Sequence, residues 1–394
     1  MKFNSNPKMV NLLYDVCIIG AGASGLMTAN VILRYKPDCK ILIIESKDKP
    51  GRKIAASGNG KCNLSNIRSD GWSETSAFFE YLGVLTKPDR EGRIYPYSEY
   101  APDIVEALIA KLGKVDFLLS GRATGVDNID GIFHISAEHA IRGEKPRAMK
   151  LRSRRLVLAC GGTASPQLGT CGDGFALAKQ LAHEVREPVP ALCGVRTEQN
   201  MKKLGLAGVR QKAQVSLEHK GNLLMSESGE LQFTDYGLSG ICIFNLTRGI
   251  RYEDALHKKF DGYRIKVDFM PEYSSEQVSR HLKSCDNSLR TILKPQLAHY
   301  IETKSRKFSA LTSLIKGIYF DVTGLCDWDK AQVTRGGIKT GEFNPKTMES
   351  RKIKGLYFAG EIVDFDGPCG GFNLQNAWTC GIKCGKAISR YLSK

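Results

Sequence analysis

One junction near the start of the chain restricts the fold more than any other feature. Tyr14 to Ile19 is a short apolar run rich in β-branched residues, and Gly20-Ala21-Gly22-Ala23-Ser24-Gly25 follows at once, opening a helical stretch from Leu26 to Tyr35. A strand-like run that passes through glycines into a helical period predicts strand, tight turn and helix. The glycines take separate tasks: Gly20 makes the turn, Gly22 lets the backbone approach a pyrophosphate, and Gly25 lets helix pack on strand. Unpaired N–H groups and the helix dipole favour negative charge at that helix start. Lys40 to Ile44 reads as the second strand and ends in Glu45, twenty residues after Gly25. A carboxylate there accepts from ribose hydroxyls and disfavours a 2′-phosphate. The fold class expected is α/β with a Rossmann-type dinucleotide-binding unit, whose glycines and Glu45 are flanked by Ala23, Ser24 and Ser46.

This βαβ unit does not separate a nicotinamide from a flavin dinucleotide, but two later segments bear on the choice. Leu156 to Gly162 is an apolar strand running into glycines, which places Ala159, Gly161 and Gly162 beneath the nucleotide. Gly355 to Glu361 ends in Ala-Gly-Glu, with Asp364 three residues on, so Gly360, Glu361 and Asp364 are expected against a ribityl and phosphate portion. The turn Gly367 to Gln375 then leads into a helical stretch from Asn376 to Tyr391. Gly370, Gly371, Asn373, Leu374 and Gln375 would aim that helix start at the flavin ring. Reduced flavin carries negative charge near N1 and O2, which a helix N-terminus stabilises by about 1 kcal/mol. The expected cofactor is therefore FAD.

The run Gly51 to Asn66 reads Gly-Arg-Lys-Ile-Ala-Ala-Ser-Gly-Asn-Gly-Lys-Cys-Asn-Leu-Ser-Asn. Together with the Ala-Gly-Glu segment, Gly370 to Gln375, Gly92 to Pro96 and Gly169 to Gly174, it resembles the BaiN-type flavoproteins, a family of 3-dehydro-bile-acid reductase-like and aminoacetone oxidase-like proteins. The resemblance runs essentially end to end. It implies that Arg52, Lys53, Ser57, Gly58, Asn59 and Asn63 lie along the diphosphate and isoalloxazine, and that the Val126 backbone pairs with the adenine edge. Residue chemistry agrees: Arg52 and Lys53 neutralise phosphate, and the turn from Ser57 to Gly60 offers backbone donors. Cys369 departs from the small polar residue expected at its position, and either touches the ring or fills space.

Between about residues 190 and 344 the pattern changes. Ala213 to His219, Gly221 to Met225 and Glu230 to Phe233 alternate between turn residues, as antiparallel strands do. Pro271 to Lys304 reads as helical, with a capping box from Ser274 to Gln277, and strand character returns at Gly317 to Asp321 and Gln332 to Thr340. The expected layout is a flavin domain over residues 1–190 and 345–394, interrupted by an insert over 191–344 that forms a β-barrel with a helical piece at about 271–305. Tyr236 as a proton donor and Arg335 as an anion holder are candidate substrate residues on or beside this insert, as is Cys369 nearer the ring.

With 394 residues, 42% of them hydrophobic, the chain can bury a core for two domains or three. The stretch before Tyr14 is polar, and no run approaches the length of a membrane span, so a cytoplasmic protein without a membrane partner is expected. Twelve scattered cysteines form no Cys-x-x-Cys pair, and the histidines have no metal-ligand spacing, so neither dithiol chemistry nor a metal is expected. The net charge of +16 is the compositional oddity. Segments such as Lys145 to Arg155 lack interleaved aromatics, which makes nucleic acid the weaker reading beside a basic solvated surface. Oligomeric state is not legible.

No second strand-glycine-helix unit is visible, so a nicotinamide donor, NAD(P)H, would act transiently from the open face of the flavin. The expected function is FAD-dependent hydride transfer through flavin N5 to an activated C=C bond of a small-molecule substrate. The alternatives are an oxidase of a small amine and a flavin-containing redox or nucleic-acid-binding protein without turnover.

Overall fold

In the computed structural model the described residues are Met9, 12–141, 143–284, 288–305 and 307–392. Most of the polar stretch before Tyr14, and residues 285–287 of the expected helical piece, therefore lie outside them. The chain forms two compact units, residues 1–188 with 333–394, and residues 189–332.

The first unit is built on strands β1 (Val16–Ile19), β2 (Ile41–Ile44), β3 (Asp116–Leu118), β4 (Leu156–Leu158) and β5 (Leu356–Phe358). They lie in the order β5-β4-β1-β2-β3, every pairing parallel. All their residues except Asp116 are buried, which is why they read as unbroken apolar runs: helices pack on them, and so does a separate, largely antiparallel sheet whose Phe133, Ile135 and Leu151 share their core. The register sets Ile19 opposite both Ile44 and Leu158, and Leu158 opposite Phe358. Four strands thus end level, and Gly20, Glu45, Ala159 and Ala359 emerge along one carboxyl edge, where doubly wound sheets bind ligands.

Helix α1 (Ala23–Tyr35) begins with Gly22 as its cap, earlier than the expected Leu26. Helix α2 (Arg52–Ala56) is short, and helix α3 (Phe372–Tyr391) starts directly after Gly371 rather than at Asn376. Trp378 of α3 is fully buried, donating Nε1–H to the Leu64 carbonyl (3.0 Å) and meeting Phe79 edge-on at 5.1 Å. The expected strand 14–19 is interrupted at Asp15, whose carboxylate accepts the Lys40 N–H at 2.9 Å. Leu13–Tyr14 instead joins a separate four-stranded sheet with Arg147–Ser153, Ile132–His139 and Gly121–Ile129.

The second unit is a closed six-stranded barrel of Val195–Thr197, Gly237–Ser239, Asn222–Thr234, Arg210–His219, Tyr263–Asp268 and Ile318–Leu325. Ala213, Val215 and Leu217 point inward in alternation, and Phe233 meets Phe320 at 5.8 Å in the barrel core. The two strands expected at 221–225 and 230–233 are one continuous strand, because Gly229 stays in register opposite Ala213. The capping box is present: Ser274 Oγ accepts the Gln277 N–H at 3.3 Å, and Gln277 Oε1 accepts the Ser274 N–H at 2.8 Å. A further helix, Phe308–Gly317, extends the helical piece beyond residue 305.

The insert was expected to reach residue 344, whereas the compact unit ends at Gln332. Val333–Ile338 forms no barrel strand. It pairs instead with Val185–Ala191 in a two-stranded sheet, and its end is tied to the loop after β5: Ile338 N–H donates to the Ile362 carbonyl and Asp364 N–H to the Ile338 carbonyl, both at 2.9 Å.

Candidate cofactor and active site

Gly20 and Gly22 differ in what they allow. Gly20 has φ +109°, and a Cβ there would lie 2.3 Å from the Ala159 carbonyl oxygen, so only glycine fits between β1 and β4. At Gly22 an added Cβ would meet nothing within 4 Å. The open space above Gly22, facing the first turn of α1, is what a diphosphate requires. Glu45 is held at the same edge, its carboxylate accepting the Ala21 N–H (2.8 Å), the Lys47 N–H (2.9 Å) and the Ser46 hydroxyl (3.3 Å). Gly51 N–H donates to the Ala21 carbonyl at 2.8 Å, bringing α2 to the loop.

Arg52 and Lys53 diverge. Arg52 is exposed, 4.0 Å from Asp48. Lys53 Nζ lies 2.8 Å from Glu361 Oε2 and 3.4 Å from the Ala164 carbonyl. Glu361 Oε1 accepts the Thr334 N–H (2.8 Å), and Thr334 Oγ1 accepts the N–H groups of Thr163 (2.8 Å) and Ala164 (3.1 Å). A Cβ on Gly162 would strike Thr334 Oγ1. Thr334 thus knits the turn after β4 to the end of β5. Nothing in its strand-like surroundings distinguished it in the sequence. Asp364 accepts the Gly336 N–H (3.1 Å) and pairs with Arg186 (3.3 Å), so its carboxylate braces the loop after β5.

The 57–63 turn carries Gly58 and Asn59 in the left-handed region, φ +58° and +54°. Asn63 closes it against α3: its amide oxygen accepts the Gly371 N–H at 3.1 Å while its nitrogen donates to the Ser65 carbonyl at 2.8 Å. Asn66 Nδ2 donates to the Gly370 carbonyl at 3.2 Å. Gly371 has φ +98°, and a Cβ there would lie 2.3 Å from the Ser65 carbonyl oxygen. Turn and helix start are therefore one assembly, with Gly60 at its rim and Cys369 half-buried in the connecting loop.

Several expected contacts have structural duties. Gln375 is 2% exposed; it accepts the Ser65 hydroxyl (2.7 Å) and donates to Thr75 (2.7 Å) and Thr379 (2.9 Å). Asn373 clasps Gly367 through its N–H (2.8 Å) and carbonyl (2.9 Å), and Leu374 packs on the core. Ser24 donates to the Ala359 carbonyl at 3.0 Å, tying α1 to the end of β5 beside Gly360, and Ala23 packs on the same core. The Val126 N–H donates to Gln180 Oε1 at 3.1 Å. Gly161 has φ +73° beside Thr170. Next to it, burial pushes the Cys160 thiol up to about 12, which keeps it neutral. Arg122 clamps Asp173 with two bonds of 2.9 and 2.7 Å and holds its carboxyl below the usual range.

Arg335 belongs to the first unit, its Nε 3.9 Å from Asp366. Tyr236 belongs to the second, where Lys330 stands over its ring at 4.2 Å. Among the described residues no group of three or more His, Cys, Asp or Glu could hold a metal, and no helix is long and apolar enough to cross a membrane.

The model of the HI0933-like protein Rossmann domain matches residues 14–72 and 71–387. The chain belongs to that family. As a member it is an FAD-dependent oxidoreductase, and the open glycine loop, the fixed Glu45 and the left-handed turn at Gly58 fit a dinucleotide with a flavin end. Over 94% of its length it is 34% identical to the 3-dehydro-bile acid delta(4,6)-reductase of Clostridium scindens, covering 98% of that protein. It is 26% identical over 95% of its length to the ribosomal RNA dihydrouridine synthase of Escherichia coli, again covering 98%. A variant of the E. coli quinol fumarate reductase subunit FrdA shares the fold, with a TM-score of 0.53 at 15% identity, over 97% of this chain and 71% of that one.

Proposed function

We propose that this HI0933-like protein reduces a carbon–carbon double bond conjugated to a carbonyl group. The observation that carries the reading is the pair of relatives aligned nearly end to end. A delta(4,6)-reductase acting on a 3-dehydro-bile acid and a dihydrouridine synthase name the same bond change, saturation of an alkene activated by a carbonyl. When bound, FAD would supply hydride-transfer chemistry. The chain's own part is to hold the two ends of that cofactor and to orient the acceptor. The glycine loop, the start of α1 and Glu45 hold the nucleotide end; the 57–63 turn and the start of α3 hold the flavin end. Arg335 is our proposed holder of the substrate carbonyl or of an anion beside it. In balance, NAD(P)H and one proton enter, and the saturated product and NAD(P)+ leave. The donor is proposed to act at the same flavin, because the chain carries one dinucleotide loop of the strand-glycine-helix kind in its sequence.

A second reading of the substrate is favoured by the net charge of +16: the activated alkene is a uracil ring carried on RNA. Holoprotein photoreduced without oxygen is to be mixed with a steroid dienone, with uridine-containing RNA, and with air plus aminoacetone. Reoxidation by either alkene with formation of its saturated product supports the proposal and picks the substrate. Reoxidation by neither, with oxygen uptake driven by the amine, sinks it.

A further inference from the structure

The carboxyl edge of the parallel sheet holds the cofactor site, while its amino edge carries a concentration of positive charge that the reaction does not use. Arg154 and Arg155 precede β4, and Lys354 precedes β5. These approach segments lie side by side, since Leu156 N–H donates to the Gly355 carbonyl and Arg154 N–H to the Tyr14 carbonyl, both at 2.9 Å. The Arg155 guanidinium stands 4.8 Å from the Tyr391 ring and the Lys354 ammonium 5.1 Å from the same ring. Arg390, next to that tyrosine at the end of α3, is exposed. Lys150 and Arg152 extend the patch along Arg147–Ser153, on the exposed face, while Met149 and Leu151 point inward. Among the described residues two carboxylates reach this group: Asp15, 4.0 Å from Arg154, and Glu349, which accepts the Gly355 N–H at 2.9 Å. The Nε of Arg155 is buried without a hydrogen-bond partner among the described residues.

Cations in this excess repel one another and hold a layer of counterions, which a polyanion displaces on binding. The intervening strands are three or four residues long, so this edge stands about 10 Å from the cofactor edge along the strand direction. We propose that the amino-edge face, centred on Arg152, Arg154, Lys354 and Arg390, binds the sugar–phosphate backbone of RNA and anchors it apart from the reacting base. This rests on the RNA reading of the substrate given above. Lysine and arginine here take phosphates without reading sequence, so the face would set affinity and leave the choice of base to the flavin site.

The test uses holoprotein and a fluorescently labelled single-stranded RNA, followed by anisotropy across a salt series. A variant with Arg152→Gln, Arg154→Gln, Lys354→Gln and Arg390→Gln together is expected to bind at least about tenfold more weakly, with a log–log salt slope shallower by about 3. A charge-matched variant in the second unit, with Lys202→Gln, Lys203→Gln, Lys258→Gln and Lys259→Gln, is expected to keep wild-type affinity. Retained flavin absorbance and thermal midpoint show that both are folded. A charge-keeping variant, with Arg152→Lys, Arg154→Lys and Arg390→Lys, is expected to bind as wild type does. Equal losses in the two glutamine variants, unchanged binding in the first, or wild-type retention on phosphatidylglycerol vesicles but not on RNA would each overturn the proposal. Dihydrouridine formation in the bound RNA is scored separately. If it is absent while binding depends on the face as described, the RNA-substrate reading fails and the binding face stands.

Discussion

Lys53 Nζ lies 2.8 Å from Glu361 Oε2 across a separation of 308 residues, joining the first turn of α2 to the end of β5. Both side chains are partly shielded, and Glu361 also receives the Thr334 N–H. Charge pairs of this exposure couple by about 1 kcal/mol, less than a buried pair would. Lys53→Met and Glu361→Gln are therefore expected to lower stability singly and to be less than additive together, in a double-mutant cycle read by urea unfolding of the apoprotein. Each is also expected to retain less FAD on gel filtration. Strict additivity would show that the pair does not couple.

Gly22→Ala and Gly20→Ala should part company. The first places a methyl where nothing lies within 4 Å and where φ is −86°, so the thermal midpoint of the apoprotein should stay near wild type while FAD retention drops. The second forces a left-handed alanine against the Ala159 carbonyl, at a cost of roughly 2 kcal/mol or more, and should lower the midpoint whether or not FAD is present. An alanine at 22 that leaves FAD binding intact would remove the diphosphate from that loop.

Gln375→Leu should act on the fold before it acts on the cofactor. It leaves the buried Ser65 and Thr75 hydroxyls and the half-buried Thr379 hydroxyl without this partner, and each fully buried polar group so stranded costs about 1–3 kcal/mol. Chemical denaturation should register the loss in apoprotein. A variant that is stable but fails to reduce its substrate would instead give Gln375 a role at the flavin.

Acid should weaken the first unit through His183. Burial holds its imidazole below the ordinary value of 6.5, so the folded protein disfavours the proton that the unfolded chain accepts. Stability from this group is complete above pH 6.5 and is lost as the pH falls below it. Its Nε2 stands 2.7 Å from Ser350 Oγ, and its ring meets Phe358 at 4.9 Å. Thermal midpoints of wild type should fall between pH 7 and pH 5 more steeply than those of His183→Gln, and parallel curves would assign the acid sensitivity elsewhere.

Gly20 and Gly25 were readable as glycines because local packing dictates them, a Cβ at either striking a backbone carbonyl oxygen, and Glu45 was placed by the end of the strand it follows. The barrel was readable as alternation, but not the return of the chain at Val333, since a strand-like run carries no label saying which sheet it joins. Thr334 and Gln180 were invisible for a related reason. Each works through a polar atom meeting backbone from elsewhere, and such meetings exist only after folding. Gln375 illustrates the converse, a polar residue beside a glycine turn that looks made for a ligand and is instead enclosed by three hydroxyls. Asp364 and Asn373 likewise spend their polar atoms on the loop that carries them.

The sheet order has a consequence for synthesis on the ribosome. β5 completes the row beside β4, yet the entire barrel is translated between them. A nascent chain therefore exposes the apolar flank of β4 until residue 356 has emerged, and the barrel must reach its own native state while its host is still missing a strand. Ribosome-bound chains halted before β5 should be recognised by chaperones that grip uncovered apolar strands, and should be released once that strand is made.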